Sequence, residues 1–540
     1  MFIPPSCIDT LYDYLPLLND EALAVLPKEQ LGKKVAIIGA GAAGILAAHE
    51  LLKMGLRPVI YEATHRIGGR LYSKKFELIQ EDTKPFAELG AMRIPISSQI
   101  FLHYAKKIKL TCNIPFPAAE LVNSLIYFHN KRYPWGAKTN LPEPFFKIKQ
   151  LWDEFTTPLF SQIHKEWELG NLDKVRELWQ LSIDQFKNMS LYQALCDLSA
   201  HMNTAQINIY GTMGIGHGGF SPVFQTSFLE ILRIITNNYM GGNLLIPEGV
   251  SEFIKRLYEL EVKTPLGLAS LSKTAVLKLN LPVVLLDYNR ETKNPIIITK
   301  DKNKVLQQVE YSAVIFTGSM CAAHLINITN KTKSGVFLIE QEAREAIKIS
   351  PMIASSKTYI CTETKFWIGK KIPSYIATDG ITQSTYCLDY PNTKYGIVCL
   401  SYTWGINAMK LHAVDPVDRV KIFLRELTAI NPNFIKYLVP LNGEVLNVDW
   451  INVKYQNGAF KIFTPGNDAR QKSLYYQFQS VLTKKDRGFY LAGDSISWSG
   501  GWVEGALYTS LNAVFAVAKH LGAPVSKNSP LYQDPNLYKY

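Results

Sequence analysis

The sequence has little of what metal-binding, disulfide-stapled or nucleic-acid-binding proteins rely on. Seven cysteines are scattered over 540 residues, at positions 7, 112, 196, 321, 361, 387 and 399. Their number is odd and no Cys-x-x-Cys pair occurs. That argues against a disulfide framework and for reduced, mostly buried thiols in a cytoplasmic protein. The ten histidines form no His-x-His or His-Glu-x-x-His set, so no metal site is expected. Dense runs of basic residues are missing too. The formal net charge of +12 is modest for this length, and Lys33-Lys34, Lys106-Lys107 and Lys484-Lys485 read as solvated surface. No nucleic-acid partner is expected, although anionic substrates would be attracted. Internal repeats, low-complexity tracts and long linkers are absent. Met1 to Pro27 lacks the charged start and apolar core of a secretory leader and reads as an ordered arm with one or two short helices. No segment reads as a membrane span.

What is present concentrates in Val35 to Arg70. Val35-Ala36-Ile37-Ile38 is an apolar run suited to a strand buried on both faces. Gly39-Ala40-Gly41-Ala42-Ala43-Gly44 follows at once, and Ile45 to Met54 reads as a helix. In this G-x-G-x-x-G pattern the first glycine permits the turn, the second lets backbone approach a pyrophosphate, and the third lets helix and strand pack closely. The helix N-terminus then presents free N–H groups to the phosphates. Gly55 ends the helix, and Arg57 to Tyr61 makes a second strand. Glu62 stands at its end, about 20 residues past the glycines, where a carboxylate meets a ribose diol and disfavours a 2′-phosphate. The length predicts two or three domains. No second cradle of strand, G-x-G-x-x-G turn and helix is read, since the glycines of Gly211 to Gly219 follow a helical stretch rather than a strand, so a separate nicotinamide donor is not expected.

Elsewhere the texture varies. Residues 141–212 read as helical, with Leu151, Phe155 and Leu159 at helical spacing. Gly211 to Gly219 reads as a glycine-rich loop, followed by an apolar helix from Phe224 to Ile235. Residues 244–317 alternate short β-like runs with turns and end in the buried strand Ser312–Gly318. Residues 350–460 mix strands with an amphipathic helix near Pro416–Ile430. Gly488 to Asp494 is again strand then turn, and Gly505 to Leu521 is a helix. The cofactor-type strands therefore lie in three distant segments.

Gly39–Gly44, Glu62 and Arg66-Ile67-Gly68-Gly69-Arg70 resemble the flavin amine oxidase family. Glu88-Leu89-Gly90-Ala91-Met92-Arg93-Ile94-Pro95 narrows the resemblance to its L-amino acid oxidase and 2-monooxygenase branch. Ser355-Ser356-Lys357, Tyr402, Ala492-Gly493-Asp494 and Gly500-Gly501-Trp502-Val503-Glu504-Gly505 extend it over about residues 33 to 521. The resemblance implies an α/β fold, α+β overall. It has a discontinuous Rossmann-like FAD-binding domain (33–70, 243–320, 478–524), a mixed-sheet substrate domain (1–32, 71–140, 321–477) and an inserted helical domain (141–242). FAD is the implied cofactor. Gly39, Gly41, Ala43, Gly44, Glu62, Ala63, Gly69, Arg70, Gly90, Ala91, Met92, Arg93, Gly493, Asp494, Gly501, Trp502 and Val503 are its implied contacts. Arg66 and Arg70 support the pyrophosphate or its loop, unless either is a structural ion pair. Asp494 would bond the ribityl chain.

By the same resemblance, Arg93 holds a substrate α-carboxylate with help from the Tyr402 hydroxyl. Lys357 stands against flavin N5 through a water, and Trp502 forms a wall in front of the flavin. The implied reaction passes the Cα hydrogen of an L-amino acid to flavin N5, after which O2 reoxidises the flavin. Retention of the imino acid gives oxidative decarboxylation to an amide; release gives a 2-oxo acid, ammonia and H2O2. Val223 stands where lysine-using relatives carry an acid, and Phe220, Val223 and Tyr239 would line a pocket for a large apolar side chain. Tryptophan is the expected substrate, with phenylalanine or lysine as alternatives. The remaining alternative is a flavin-bearing scaffold without turnover. A homodimer is the assembly the resemblance implies.

Overall fold

The computed structural model describes residues 7–81, 84–137, 139–197 and 202–540; residues 1–6 of the expected N-terminal arm lie outside these. Its parallel sheet draws on pieces of chain far apart in sequence. The strand order is Val276–Lys278, Arg57–Tyr61, Lys34–Ile38, Ala313–Phe316, Phe489–Leu491, every neighbour parallel. Each of the three central strands is a short apolar run, as expected for strands covered on both faces. The helix Ala42–Lys53 follows the first strand and packs against Val503–His520. Both are buried almost all round, and the Ser510 hydroxyl donates to the Ala43 carbonyl at 2.8 Å across the contact. The polar pair His49-Glu50 also lies inside this layer. Glu50 pairs with Lys53 at 3.0 Å and accepts the Tyr104 hydroxyl at 2.8 Å, which answers the need of a buried carboxylate for partners.

A second, seven-stranded mixed sheet stands over the parallel one. Its order is Val445–Asp449, Ser355–Thr362, Gly396–Trp404, Ser384–Leu388, Tyr375–Thr378, Ser124–Phe128, Lys131–Trp135. Lys357 lies directly opposite Tyr402 in its register. A helical layer of Phe145–Glu168, Leu172–Phe186, Leu191–Asp197, Thr204–Met213 and Phe228–Thr236 closes one side. Its core includes Trp179, Phe186, Phe228 and Val223. Among the described residues no helix is long and apolar enough to cross a membrane. All seven cysteines are free, and four of them are buried.

Several local expectations shift. The glycine-rich stretch begins as helix, because Thr204–Met213 runs through Gly211. A Cβ there would meet the Phe224 ring at 2.7 Å, so glycine serves close packing rather than a loop. The following helix starts at Phe228, not Phe224. The backbone of 224–227 is committed elsewhere: the Phe224 and Thr226 carbonyls accept Tyr192 and Leu191 N–H, and Ser227 N–H donates to the Phe463 carbonyl. Within the supposedly all-β stretch 244–317, Ser251–Glu259 is a helix that buries Phe253, Ile254 and Leu257. Among its described residues the N-terminal arm contains only the short 3-10 turn Leu15–Leu17, and a second, Lys28–Gln30, lies just beyond it.

Helix and strand meet most tightly at Gly44. A Cβ built there would sit 2.0 Å from the Gly39 carbonyl oxygen, which is backbone and cannot swing aside. Gly44→Ala is therefore expected to destabilise the protein by at least about 2 kcal/mol, an overpacking cost. Thermal unfolding checks this, and an unchanged melting temperature would show slack in the loop that the geometry denies.

Candidate active site

The carboxyl ends of the parallel strands open onto one elongated cleft, the usual place for a ligand in an open α/β sheet. Ile38, Gly39, Gly41 and Ala43 line it from the first strand and its helix, and Tyr61, Glu62 and Ala63 from the second. Phe316 to Ser319 come from the third, and Gly493 with Asp494 from the last. Of the expected cofactor contacts, all but Gly44, Met92 and Arg93 face this cleft, as do Lys357 and Tyr402. Gly44 packs inside the turn. Met92 is buried and accepts the Tyr359 hydroxyl on its Sδ at 3.2 Å. Sequence reasoning missed Ser319, Trp450, Gln456 and Phe460 on the lining. Trp450 and Phe460 belong to no recognisable pattern. Thr317, however, directly follows a strand that was legible.

The cleft fits an extended dinucleotide in shape and polarity. One end is a glycine turn leading into a helix N-terminus, which favours anionic oxygens. Beside it, Glu62 accepts Ala40 N–H at 2.9 Å, and Thr64 N–H and hydroxyl at 2.8 and 2.7 Å. These bonds fix the carboxylate yet leave it acceptor capacity toward a diol. Farther along, Arg70 grips both oxygens of Asp494 and donates to the Ala459 carbonyl at 2.8 Å, and Asp494 also accepts Gly501 N–H at 3.2 Å. Arg70 is thus half of an ion pair on the cleft wall. Arg66 lies 3.6 Å over the Tyr72 ring and donates to the Gly69 carbonyl at 2.8 Å, which props the second glycine loop.

The segment Glu88 to Arg93 threads between this cleft and the seven-stranded sheet. Gly90 makes the crossing possible, because a Cβ there would lie 1.9 Å from the Arg70 carbonyl oxygen. Three side chains on or directly beyond the sheet's strands seize its carbonyls. Lys357 Nζ donates to Gly90 at 2.6 Å and Glu88 at 3.2 Å, the Tyr359 hydroxyl donates to Glu88 at 3.0 Å, and the Trp450 indole donates to Leu89 at 2.9 Å. The Lys357 ammonium is also 4.7 Å from the centre of the Tyr402 ring. Burial brings its pKa down to about 8.

Arg93, at the end of that segment, is half-buried and makes no hydrogen bond or ion pair among the described residues. Its guanidinium stands 5.7 Å from the Phe116 ring. Burial pushes the Tyr386 and Tyr402 phenols up, and the Arg93 charge pulls them partly back, which places all three in one electrostatic neighbourhood. A guanidinium held among phenols with no carboxylate of its own is prepared for an external one. Trp502 stacks on Tyr239 at 5.1 Å with 25° between the planes, and the Tyr239 hydroxyl is 3.1 Å from Ser499 Oγ. The structure therefore sets Tyr239 against Trp502, which lines the cleft. Phe220 and Val223 lie elsewhere: Phe220 stacks on Tyr210 at 5.1 Å, and Val223 is buried in the helical core. Their turn abuts Gly405, just beyond Trp404, whose ring is 5.7 Å from that of Tyr402.

The model of the flavin containing amine oxidoreductases matches residues 42–518. The chain is 35% identical to the tryptophan 2-monooxygenase of Pseudomonas savastanoi, covering 100% of this chain and 99% of that one. It is 30% identical to the enzyme of the same name from Rhizobium radiobacter, covering 99% of this chain and 72% of the relative. Among solved structures, putrescine oxidase with bound putrescine gives a TM-score of 0.65 at 16% identity, over 90% of this chain and 98% of that one. Cyclohexylamine oxidase from Brevibacterium oxydans gives 0.65 at 15%, over 91% and 99%. At that identity the shared property is the fold.

Lys357 also leaves a signature in stability. Its folded pKa of about 8 lies below the ordinary 10.5, so between those values the unfolded chain binds the extra proton. Its contribution therefore favours folding increasingly as pH rises from 8 to 10.5, by on the order of 3 kcal/mol in all. Denaturant unfolding of the protein and of Lys357→Met at pH 7.5 and pH 10 checks this. The difference in stability between the two should move in the wild type's favour at the higher pH, and a constant difference would mean that the amine is not held in a desolvated site.

Proposed function

The chain belongs to the flavin containing amine oxidoreductase family, and on that premise we propose that it is an FAD-dependent 2-monooxygenase. Its reaction takes L-tryptophan and O2 to indole-3-acetamide, CO2 and water. The end-to-end likeness to proteins named for this activity supports the substrate. The observation that carries the chemistry is Arg93, a half-buried guanidinium among aromatic side chains with no protein carboxylate paired to it.

FAD supplies the acceptor for the substrate's Cα hydride and the means of reducing O2; binding, orientation and proton handling fall to the chain. Arg93 takes the α-carboxylate in a two-point grip, and the Tyr402 hydroxyl offers a further donor. This leaves the amino acid one way to present its Cα. The Trp502–Tyr239 stack forms a flat wall for the reacting end and shuts out water. The Val223 turn, behind Trp404, bounds the side-chain end without an acid, which suits an indole better than an ammonium. Lys357 Nζ is tethered to two carbonyls, and with a pKa near 8 it can hold or release a proton close to neutral pH. Retention of the imino acid for decarboxylation requires this enclosure. The free thiols support a reducing, cytoplasmic setting, and a homodimer is the assembly carried over from the family.

Product analysis tests the reading. Purified protein with L-tryptophan in air should give indole-3-acetamide with little free peroxide by mass spectrometry and peroxide assay. Indole-3-pyruvate with stoichiometric peroxide would make it an oxidase instead. Arg93→Ala should keep its flavin and raise KM by about 100-fold, the loss of a charge-assisted pair. Loss of the flavin instead would take Arg93 away from the carboxylate.

A further inference from the structure

Glu504 is enclosed on all sides and makes no ion pair among the described residues. Its two oxygens accept Ile100 N–H at 2.7 Å and Phe101 N–H at 3.0 Å, from chain about 400 residues away. These are the second and third residues of the helix Gln99–Lys107. A helix leaves its first N–H groups without internal partners, and a side chain just before it normally serves them. Here Ser98 occupies that position and makes no such bond; its hydroxyl is buried without a partner. The cap comes from across the fold instead.

What lies at the two ends of this contact gives it meaning. On one side, the capped helix is reached from Arg93 through the short strand Ile94–Pro95, which pairs with Asn243 and Leu244. Ser97, on the same stretch, donates to the carbonyl of Asn238, the neighbour of Tyr239. On the other side, Glu504 is in the first turn of Val503–His520, two residues past Trp502. Burial raises its carboxyl to about 7 while the two N–H groups pull it back. A leucine would bury more cheaply at such a position.

We propose that Glu504 is a positioning residue that fixes the Arg93 guanidinium relative to the Trp502 wall, so that capture of the substrate carboxylate depends on it. This rests on the reading of Arg93 as the carboxylate anchor. A carboxylate that merely capped a helix would affect stability, but it would not distinguish anionic from neutral ligands.

The test uses the flavin-loaded enzyme and two competitive inhibitors of similar shape, indole-3-acetate and indole-3-acetamide. In Glu504→Gln, inhibition by the acetate should weaken about tenfold and that by the amide less than about twofold, with KM for L-tryptophan rising about tenfold and kcat holding within about threefold. Arg93→Ala/Glu504→Gln should bind the acetate no worse than Arg93→Ala alone, because both changes act through one anchor. Equal weakening of both inhibitors, or losses that multiply in the double variant, would overturn the proposal. If Arg93→Ala weakens acetate binding and Glu504→Gln does not, the proposal fails and the reading of Arg93 stands. If Arg93→Ala has no effect on acetate binding, that reading fails and the proposal with it. Should Glu504→Gln not fold, Glu504→Asp, which keeps the charge and withdraws it by one methylene, is judged by the same criteria.

Discussion

The architecture turns on the backbone carbonyls of Glu88, Leu89 and Gly90 being held by side chains on and just beyond the strands of the seven-stranded sheet. Lys357 and Tyr359, from one strand, and Trp450, just past the end of its neighbour, donate to them, where the short ladder that pairs Glu88 with Ser73 ends. Buried carbonyls without partners are costly. The clamp therefore satisfies the backbone and also fixes where the segment runs. Everything specific to the site follows from that course: Gly90 passes under Arg70, Arg93 emerges among phenols, and Lys357 is drawn to the cleft wall with its amine already engaged.

The same logic of distant partners recurs in the charged groups. Arg70 meets Asp494, more than 400 residues away in the chain, on the cleft wall. Arg233, buried in the helical layer, meets Asp9, Glu230 and Asp468 while lying 4.7 Å from the Trp498 ring. Lys461 meets Glu230 at 3.5 Å and donates to the Ser497 carbonyl at 3.2 Å. Breaking a buried pair on one side costs about 3–5 kcal/mol, more than the pair contributes over an apolar substitute. Such pairs thus specify arrangement more than they add stability. Here they tie the helical layer to the turn that carries Asp494, Gly501 and Trp502. Arg93 stands apart from this pattern. Every other charge just named has its counter-charge within the protein, whereas Arg93 has none among the described residues.

Local signals were legible where one segment carries its own reason for its shape. The strand, glycine turn, helix, strand and acid of residues 34–62 form within a few residues of where the sequence places them. So does the amphipathic helix Pro416–Ile430. The stretches that shifted are those whose backbone partners come from elsewhere. Residues 224–227 form a turn and a bridge rather than the start of the helix, because Leu191, Tyr192 and Phe463 claim their hydrogen bonds. Gly211 sits inside a helix, and it is the Phe224 ring packed against it that requires a glycine there. The helix Ser251–Glu259 was hidden among short β-like runs, although Phe253, Ile254 and Leu257 have helical spacing.

For the site the division is similar. The cradle residues, Glu62, Asp494, Lys357 and Trp502 follow from motifs. Trp450 and Phe460 do not, since a lone aromatic looks the same in a core as on a cleft wall. The sequence by itself determined the dinucleotide-type turn, the spacing of glycines and acid, and the family to which they belong, because each depends on neighbours in the chain and on steric rules that act over a few residues. Only the tertiary structure decided that Arg93 lacks a protein counter-charge, that Arg70 belongs to Asp494, that Tyr239 rather than Phe220 reaches Trp502, and that Glu504 caps a helix about 400 residues away. Those facts are pairings between distant segments, and which partner a charge or ring meets is fixed by packing in three dimensions.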